Sequence, residues 1–279
     1  MPMYVDLHLH TNHSDGSDPP EKVVDRAVSC GLAGIAITDH DTVSGVEAAE
    51  REARRHGIDF LRGVEISTLY GRMEVHVVGL GIDIRYEPLV KALRAFRETR
   101  AARVDRMIDR LNALGVSIQR AEVEVYAGKG GALGRVHVAR ALVARGVAQN
   151  VQQAFDKFLR SGRKAYVPKH MMSCREAIEM IHHAGGLAIL AHPGVGTTII
   201  KLLPRVLEMP FDGIEVYHAQ HTPGHVTHFT RIALERDLLI SGGSDCHGTA
   251  LKEQPDMGKV RVPYYHFQRI RDVLHRENR

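Results

Sequence analysis

A chain of 279 residues is long enough for one large domain, or for a catalytic domain carrying an insertion, and 44% hydrophobic with 25% charged residues is ordinary for a globular protein that buries a core. A net charge of +4 is too small for a dedicated duplex-binding protein but suits an enzyme that attracts small anionic substrates. Cys30, Cys174 and Cys246 form no CxxC pair, which argues against a disulfide framework or a thiolate zinc site, and no apolar run approaches ~18 residues, which argues against a membrane span.

The chain enters its first strand, Tyr4–His8, almost at once, so no signal peptide is expected and the expected location is a reducing cytoplasm. Asp18-Pro19-Pro20 opens a helix that ends near Gly31, with proline in the first turn, where its missing N–H costs nothing. Gly34–Thr38 reads as a second strand. Ser44-Gly45-Val46-Glu47 has the spacing of a capping box and starts a helix ending near Gly57. Ile58–Ile66 and Glu74–Leu80 follow as strands. From about Glu87 to Gly162 the rhythm changes to helices, at Leu89–Leu114, Val136–Arg145 and Val151–Leu159, with a glycine-rich run Gly128-Lys129-Gly130-Gly131 between them. The alternation returns with a strand at Ala165–Val167, a helix capped at Ser173-Cys174-Arg175-Glu176, and strands at Leu187–Ala191, Gly213–Tyr217 and Leu238–Ser241. The expected fold is therefore α/β, a barrel of about seven strands built from residues 1–86 and 163–279, with residues 87–162 as a helical insertion.

Metal-ligand residue types recur at the strand ends. The first strand yields Asp6-Leu7-His8-Leu9-His10 and the second Thr38-Asp39-His40-Asp41. Glu65, His76, Ala191-His192-Pro193 and Ser244-Asp245-Cys246-His247 follow at later strands. In an α/β barrel the carboxyl ends of the strands form the active face, so residues far apart in sequence converge there. His8 and His10, two apart, project from one face of a strand. Asp245 and His247 repeat the spacing, which turns Cys246 away. Imidazole nitrogens with carboxylate oxygens suit Zn²⁺, Mn²⁺ or Fe²⁺, and the number of ligands exceeds what one ion uses, so two or three divalent ions are expected. Asp39 or Asp41 is placed to orient the ring of His40. His218 and His221 follow the Gly213–Tyr217 strand, where either can protonate a leaving group or bind phosphate.

These residues resemble the motifs of the polymerase-and-histidinol-phosphatase (PHP) family of metal-dependent phosphoesterases. The opening motif is Asp6-Leu7-His8-Leu9-His10-Thr11-Asn12-His13-Ser14-Asp15-Gly16. Ile37-Thr38-Asp39-His40-Asp41, Gly63-Val64-Glu65-Ile66-Ser67, Val75-His76-Val77-Val78-Gly79, Ala191-His192-Pro193 and Gly243-Ser244-Asp245-Cys246-His247 follow. The resemblance implies a distorted seven-stranded (β/α) barrel with a trinuclear centre. Carried over, it implies that His8, His10, Glu65 and Asp245 hold one ion, that Glu65 bridges to a second completed by His76 and His192, and that Asp15, His40 and His247 hold a third. Some relatives carry histidine where this chain has Asp15, and the extra oxygen tilts the choice towards Mn²⁺ or Fe²⁺ over Zn²⁺.

Leu133-Gly134-Arg135-Val136-His137 and Ala165-Tyr166-Val167-Pro168-Lys169 are similar to segments of a PHP subgroup that includes nucleoside 3′,5′-bisphosphate phosphatases and enzymes trimming short RNA from the 5′ end; Val136 departs from that subgroup's proline. The implied reaction is attack of a metal-activated hydroxide on phosphorus, removing the 3′-phosphate from a nucleoside 3′,5′-bisphosphate or hydrolysing short single-stranded RNA or DNA. Glu65, Asp245 and His218 are the expected catalytic residues, and Arg135, Lys169 and His221 the expected substrate contacts. Arg135 leads the latter because a guanidinium fork matches phosphate oxygens. The partners are expected to be small nucleotides, with no membrane and no stable protein partner. The rival readings are another phosphomonoesterase, such as one acting on histidinol phosphate, a metal-binding module serving a polymerase, and an amidohydrolase, which usually needs a bridging lysine that no strand end here carries.

Overall fold

The computed structural model describes residues 3–71, 73–127, 133–168, 171–195, 197–248 and 256–277. Lys169 and the glycine-rich run at 128–131 lie outside the described residues.

The chain order is β1 (Tyr4–Leu9), α1 (Pro20–Ser29), β2 (Gly34–Ile37), α2 (Val46–His56), β3 (Asp59–Tyr70) and β4 (Met73–Leu80). The helical stretch follows as α3 (Glu87–Ala113), α4 (Arg120–Glu124), α5 (Arg135–Ala144) and α6 (Val151–Ala154), which runs into a π-helical turn at Phe155–Leu159. Then come β5 (Met172–Ser173), α7 (Cys174–His183), β6 (Leu187–Leu190), α8 (Thr197–Val206), β7 (Gly213–His218), α9 (Pro223–Glu235), β8 (Leu239–Gly243), β9 (Val262–Pro263) and α10 (Tyr264–Glu277). Among the described residues no helix is long and apolar enough to cross a membrane.

The sheet runs β8-β7-β6-β4-β3-β2-β1-β9, with β5 attached to β3. The seven strands of four or more residues are the staves of a nearly closed barrel. β1 and β8 meet at its seam, where Leu9 bridges Cys246, the His10 N–H donates to the Cys246 carbonyl at 3.1 Å and the Asp245 N–H to the His8 carbonyl at 3.0 Å. Most neighbours are parallel, but β4 is antiparallel to both β3 and β6. Only two residues separate the paired Tyr70 and Met73, a connection that permits no parallel crossover. The β3–β4 hairpin outruns its neighbours, so Glu65 and His76 lie within long strands rather than at their ends.

Apolar faces assemble the layers. Val23 and Val24 of α1, Ala49 of α2, Ile178 of α7, Leu203 of α8 and Phe229 of α9 join Ile35, Ile66 and Val216 of the sheet in one buried cluster, while Phe267 and Ile270 of α10 join Leu7, Val78 and Ile189 in another. The first turns of α3 add Leu89 and Leu93 to the first cluster, and the rest of the helical stretch keeps a core of its own, built on Val104, Met107, Leu111, Val138, Leu142 and Leu159.

Two local expectations differ from the structure. Ser44 does not cap α2. The N-cap is Gly45, which makes no side-chain bond, and the Ser44 hydroxyl instead pairs with His13 Nδ1 at 2.8 Å. Ser173, by contrast, caps α7 through a reciprocal pair with Glu176. Ala165–Val167 is not a strand: the Ala165 and Tyr166 N–H groups bond to Phe158 and Arg163, and the Val167 carbonyl accepts from Arg103 Nε at 2.7 Å. Pro168, with no N–H, cannot extend a ladder there. The strand returns later, as β5.

Candidate metal centre

The loop after β1 is tied down before it delivers a ligand. Asp39 accepts from the Thr11 N–H at 2.7 Å, the Thr11 hydroxyl at 2.6 Å and the Ser14 hydroxyl. Gly16 closes the turn where a Cβ would lie 2.8 Å from the Thr11 carbonyl, and Asp15 is thereby pointed inwards. Asp41 (φ 53°), His192 (φ 28°) and Asp245 (φ 53°) hold left-handed backbone at or beside the strand ends, a conformation that costs about 1–3 kcal/mol and persists only where the surroundings impose it.

Glu65 is the hub. It is fully buried. Its Oε2 lies 3.1–3.3 Å from His8 Nε2, His10 Nε2 and His40 Nδ1, and its Oε1 lies 2.8 Å from His76 Nδ1 and 3.0 Å from His192 Nε2. Asp245 Oδ1 faces His10 Nε2 at 3.0 Å and His8 Nε2 at 3.5 Å, and Asp15 Oδ1 faces His247 Nε2 at 3.2 Å. The donor atoms gather as His8, His10, Glu65 and Asp245; as His40, Glu65 and His76, with His192 on the same carboxylate; and as His10, Asp15, His40 and His247.

These residues fit metal ions better than they fit one another. The Nε2 atoms of His8 and His10 face each other at 3.1 Å, and Glu65 Oε2, His10 Nδ1 and His40 Nδ1 are buried without a hydrogen-bond partner. Leaving such atoms unsatisfied costs about 1–3 kcal/mol each, and a concentration of them in one cluster is explained by shared cations. The donors are nitrogen and oxygen, suited to Mn²⁺, Fe²⁺ or Zn²⁺. Cys246 is buried in the apolar core beneath.

Protonation follows from the same crowding. Burial alone raises the carboxyls of Glu65 and Asp245, but the surrounding imidazoles outweigh it and hold both well below the usual carboxylate range. Burial opposes charge on His247 and His76, yet Asp15 and Asp245 bring the first up to about 10 and Glu65 brings the second up to about 9. Burial dominates at His40 and drives it down to about 3. Protons on His247 and His76 therefore stand in for cations, and loading the site must release them.

A cleft of about 170 Å³ opens from the cluster towards the helical stretch, lined by Asp15, His40, His76, Ser67, Glu74, Arg103, Gly134, Arg135, Val136 and Phe155. Arg135 stands at the start of α5, its guanidinium 5.7 Å from the Phe155 ring centroid and 5.8 Å from that of Tyr166. Across the cluster, buried His218 has Nε2 3.5 Å from Asp245 Oδ2.

The profile of the PHP domain matches residues 6–184. The chain belongs to the PHP domain family. It is 38% identical over 248 residues to the 5′-3′ exoribonuclease Rnm of Escherichia coli (strain K12), covering 87% of this chain and 84% of that one. It is 37% identical over 249 residues to the 3′,5′-nucleoside bisphosphate phosphatase of Chromobacterium violaceum, with 87% of each chain covered. A solved structure from Bifidobacterium adolescentis, provisionally described as a metal-dependent phosphoesterase, superposes with a TM-score of 0.87 at 30% identity, covering 97% of this chain and 96% of the other. This PHP protein is a metal-dependent phosphoesterase, a hydrolase built on a nearly closed α/β barrel.

The structure brings together all nine ligand residues expected of the PHP centre, His8, His10, Asp15, His40, Glu65, His76, His192, Asp245 and His247, though His10 and His40 each stand in two sets. Of the other expected residues, His218 borders the centre and Arg135 lines the cleft. His221 is differently occupied: Nδ1 pairs with the Val216 carbonyl at 2.8 Å, Nε2 accepts from the Gly194 N–H at 3.1 Å, and burial lowers its pKa to about 4. Both nitrogens are engaged within the fold, so His221 offers no substrate contact. Asp39 holds the Thr11–Ser14 turn rather than the His40 ring, and Asp41 accepts from the Ser67 N–H at 3.0 Å. Sequence reasoning missed Arg103, one of 37 Lys and Arg, and Phe155 in the cleft. It also missed Glu215 behind the centre, whose only signal is a carboxylate inside the otherwise uncharged strand Gly213–Tyr217.

Proposed function

We propose that the protein removes the 3′-phosphate from nucleoside 3′,5′-bisphosphates, giving a nucleoside 5′-monophosphate and phosphate, and that it also hydrolyses short oligonucleotides from the 5′ end. The observation that carries this reading is Arg135, a cation in the same cleft as the ligands Asp15, His40 and His76. The cleft thus offers a place for a second phosphate beside the one that reacts. The two nucleotide-acting relatives support the same substrate class.

Two or three divalent ions, Mn²⁺ foremost and Fe²⁺ or Zn²⁺ as alternatives, are proposed for the three ligand sets. Such ions supply Lewis acidity, lower the pKa of water and offset charge on phosphoryl oxygens. The chain's own residues do the rest. Glu65 and Asp245 set the spacing of the charges, and His218 is placed beside Asp245 to pass a proton to the departing sugar oxygen. Arg135 fixes the phosphate that does not react, and the helical stretch 87–162 serves as the cap that presents it.

Phosphate release by Mn²⁺-loaded protein tests the proposal across adenosine 3′,5′-bisphosphate, adenosine 3′-monophosphate, histidinol phosphate and short 5′-phosphorylated RNA. The bisphosphate and the 5′-phosphorylated RNA should show the highest kcat/KM. Equal or faster turnover of histidinol phosphate would replace this reading with that of a general phosphomonoesterase.

A further inference from the structure

β7 carries a buried acid that belongs to none of the three ligand sets. Glu215 is fully buried between Ile214 and Val216, which are themselves fully buried. Its Oε1 pairs with His8 Nδ1 at 2.8 Å, and its Oε2 accepts the backbone N–H of His192 at 2.7 Å. Both of its oxygens therefore serve residues of the centre, and they serve two different sets. His8 faces Glu65 Oε2 and Asp245 Oδ1, while His192 faces Glu65 Oε1.

We propose that Glu215 is a positioning residue of the metal centre, fixing His8 with its proton on Nδ1 and clamping the backbone that carries His192. This rests on the metal-centre reading and is independent of which phosphate ester is the substrate.

The first half follows from the two nitrogens of one ring. An imidazole can present a lone pair at Nε2 only if its proton resides on Nδ1, and a carboxylate, which only accepts, enforces that arrangement. His8 Nε2 is the atom turned towards His10, Glu65 and Asp245. The second half follows from backbone conformation. His192 has φ 28°, a region that non-glycine residues rarely hold without an imposed contact, and its N–H is the group that Glu215 grips. One side chain thus sets the ring orientation of one ligand and the backbone of another. A carboxylate with no such role would be an expensive occupant of an apolar strand, because a buried charge needs compensating partners and the partners named here are both ligand residues.

Metal binding, measured without any substrate, tests the assignment. Protein stripped by chelation is titrated with Mn²⁺ in a calorimeter, and bound ions are counted by elemental analysis after dialysis. Glu215→Gln keeps the shape, but one end of its amide is an NH₂ group that must oppose either the His8 Nδ1–H or the His192 N–H. The ions of the sets containing His8 and His192 should bind roughly 10–100-fold more weakly. The ion held by Asp15, His40 and His247, with which Glu215 makes no contact, should keep its affinity. Glu215→Asp, which restores the charge at shorter reach, should recover part of the loss. A Glu215→Gln protein that binds every ion as tightly as the wild type overturns the proposal.

A second measurement needs no variant and so does not depend on the variant folding. In Zn²⁺-loaded wild-type protein, long-range ¹H–¹⁵N spectra should show His8 protonated at Nδ1 and coordinated at Nε2. Coordination through Nδ1 overturns the proposal. Wild-type protein that takes up no metal at all overturns the metal-centre reading beneath it, an outcome distinct from a tight-binding variant.

Discussion

At Glu65 one carboxylate faces five imidazoles, three on one oxygen and two on the other. Glutamine there retains the shape but has one oxygen and no charge, so it cannot bridge two cations. Glu65→Gln should therefore abolish most phosphate release at saturating Mn²⁺, while in the metal-stripped proteins, where no ion contributes, its Tm should stay within about 4 °C of the wild type, the equivalent of about 1 kcal/mol for a domain of this size. A normal rate would place Glu65 outside the chemistry. Arg135, proposed as the anchor of the phosphate that does not react, is tested through the substrate instead. Charge-assisted bonds contribute about 1.5–3 kcal/mol each, so Arg135→Ala should lower kcat/KM for a 3′,5′-bisphosphate by roughly 10²-fold and change a nucleoside 3′-monophosphate much less. Lysine at the same position should recover only part, since an ammonium lacks the planar fork. Equal losses on both substrates would move Arg135 to the reacting phosphate or to folding. The candidate ligands, as residues that converge in the fold, were legible at this scale because histidines and acids interrupt apolar strands at several separate places. Glu215 was not, because it stands alone in its strand and acts through His8 and His192 rather than on the ions.

At the scale of elements, the turn after β1 shows how a candidate ligand is delivered. Asp39 supplies three acceptor contacts to Thr11 and Ser14, and Asp15 follows directly. Asp39→Ala leaves the Thr11 N–H and hydroxyl buried without their acceptor and the Ser14 hydroxyl with only the long contacts to the Thr11 carbonyl and Asp15, at a cost on the order of 3 kcal/mol. The expected outcome is a lower Tm together with loss of the ion at Asp15, His40 and His247, read by elemental analysis; retention of that ion would show that the turn holds itself. Sequence located the seven longer strands and six of the helices, most ends to within a residue or two, because periodic apolar patterns decide their existence, but it placed no helix at α4, α8, α9 or α10 and stopped the third strand at Ile66, short of Tyr70. It erred where a side chain elsewhere took the backbone's partners, as Arg103 does at Val167, and where spacing alone stood for a cap, as at Ser44. The antiparallel β4 was within reach of sequence, since two strands so closely joined can only form a hairpin.

For the whole molecule, the barrel and the helical stretch beyond Leu93 bury separate apolar clusters. Leu111, fully buried in the helical cluster, tests their independence. Leu111→Ala should cost about 2–5 kcal/mol locally, and hydrogen exchange should quicken in α3 and α5 while the strands stay protected. Uniform loss of protection would make the chain one cooperative unit. Metal binding acts on the barrel. An ion present at 100 times its Kd adds about 2.7 kcal/mol, so chelation should lower Tm by roughly 5–10 °C per ion removed. An unchanged Tm after verified removal would mean that the empty cluster is already satisfied.

The seam between β1 and β8 has a consequence for how the protein is made. His8 and His10 emerge from the ribosome first among the ligands, and Asp245 and His247 emerge last, some 240 residues later. The strands that carry or precede them meet by a single bridge and the two backbone bonds at His8 and His10. No ligand set that includes Asp245 or His247 can form until both ends of the barrel have been made, so the proposed centre is completed last. The seam is also where a stripped barrel has least backbone pairing to hold it shut. In a cell short of the right metal, newly made chains would accumulate with that edge loosely closed, exposed to proteases and to wrong ions until the correct ions join the two ends.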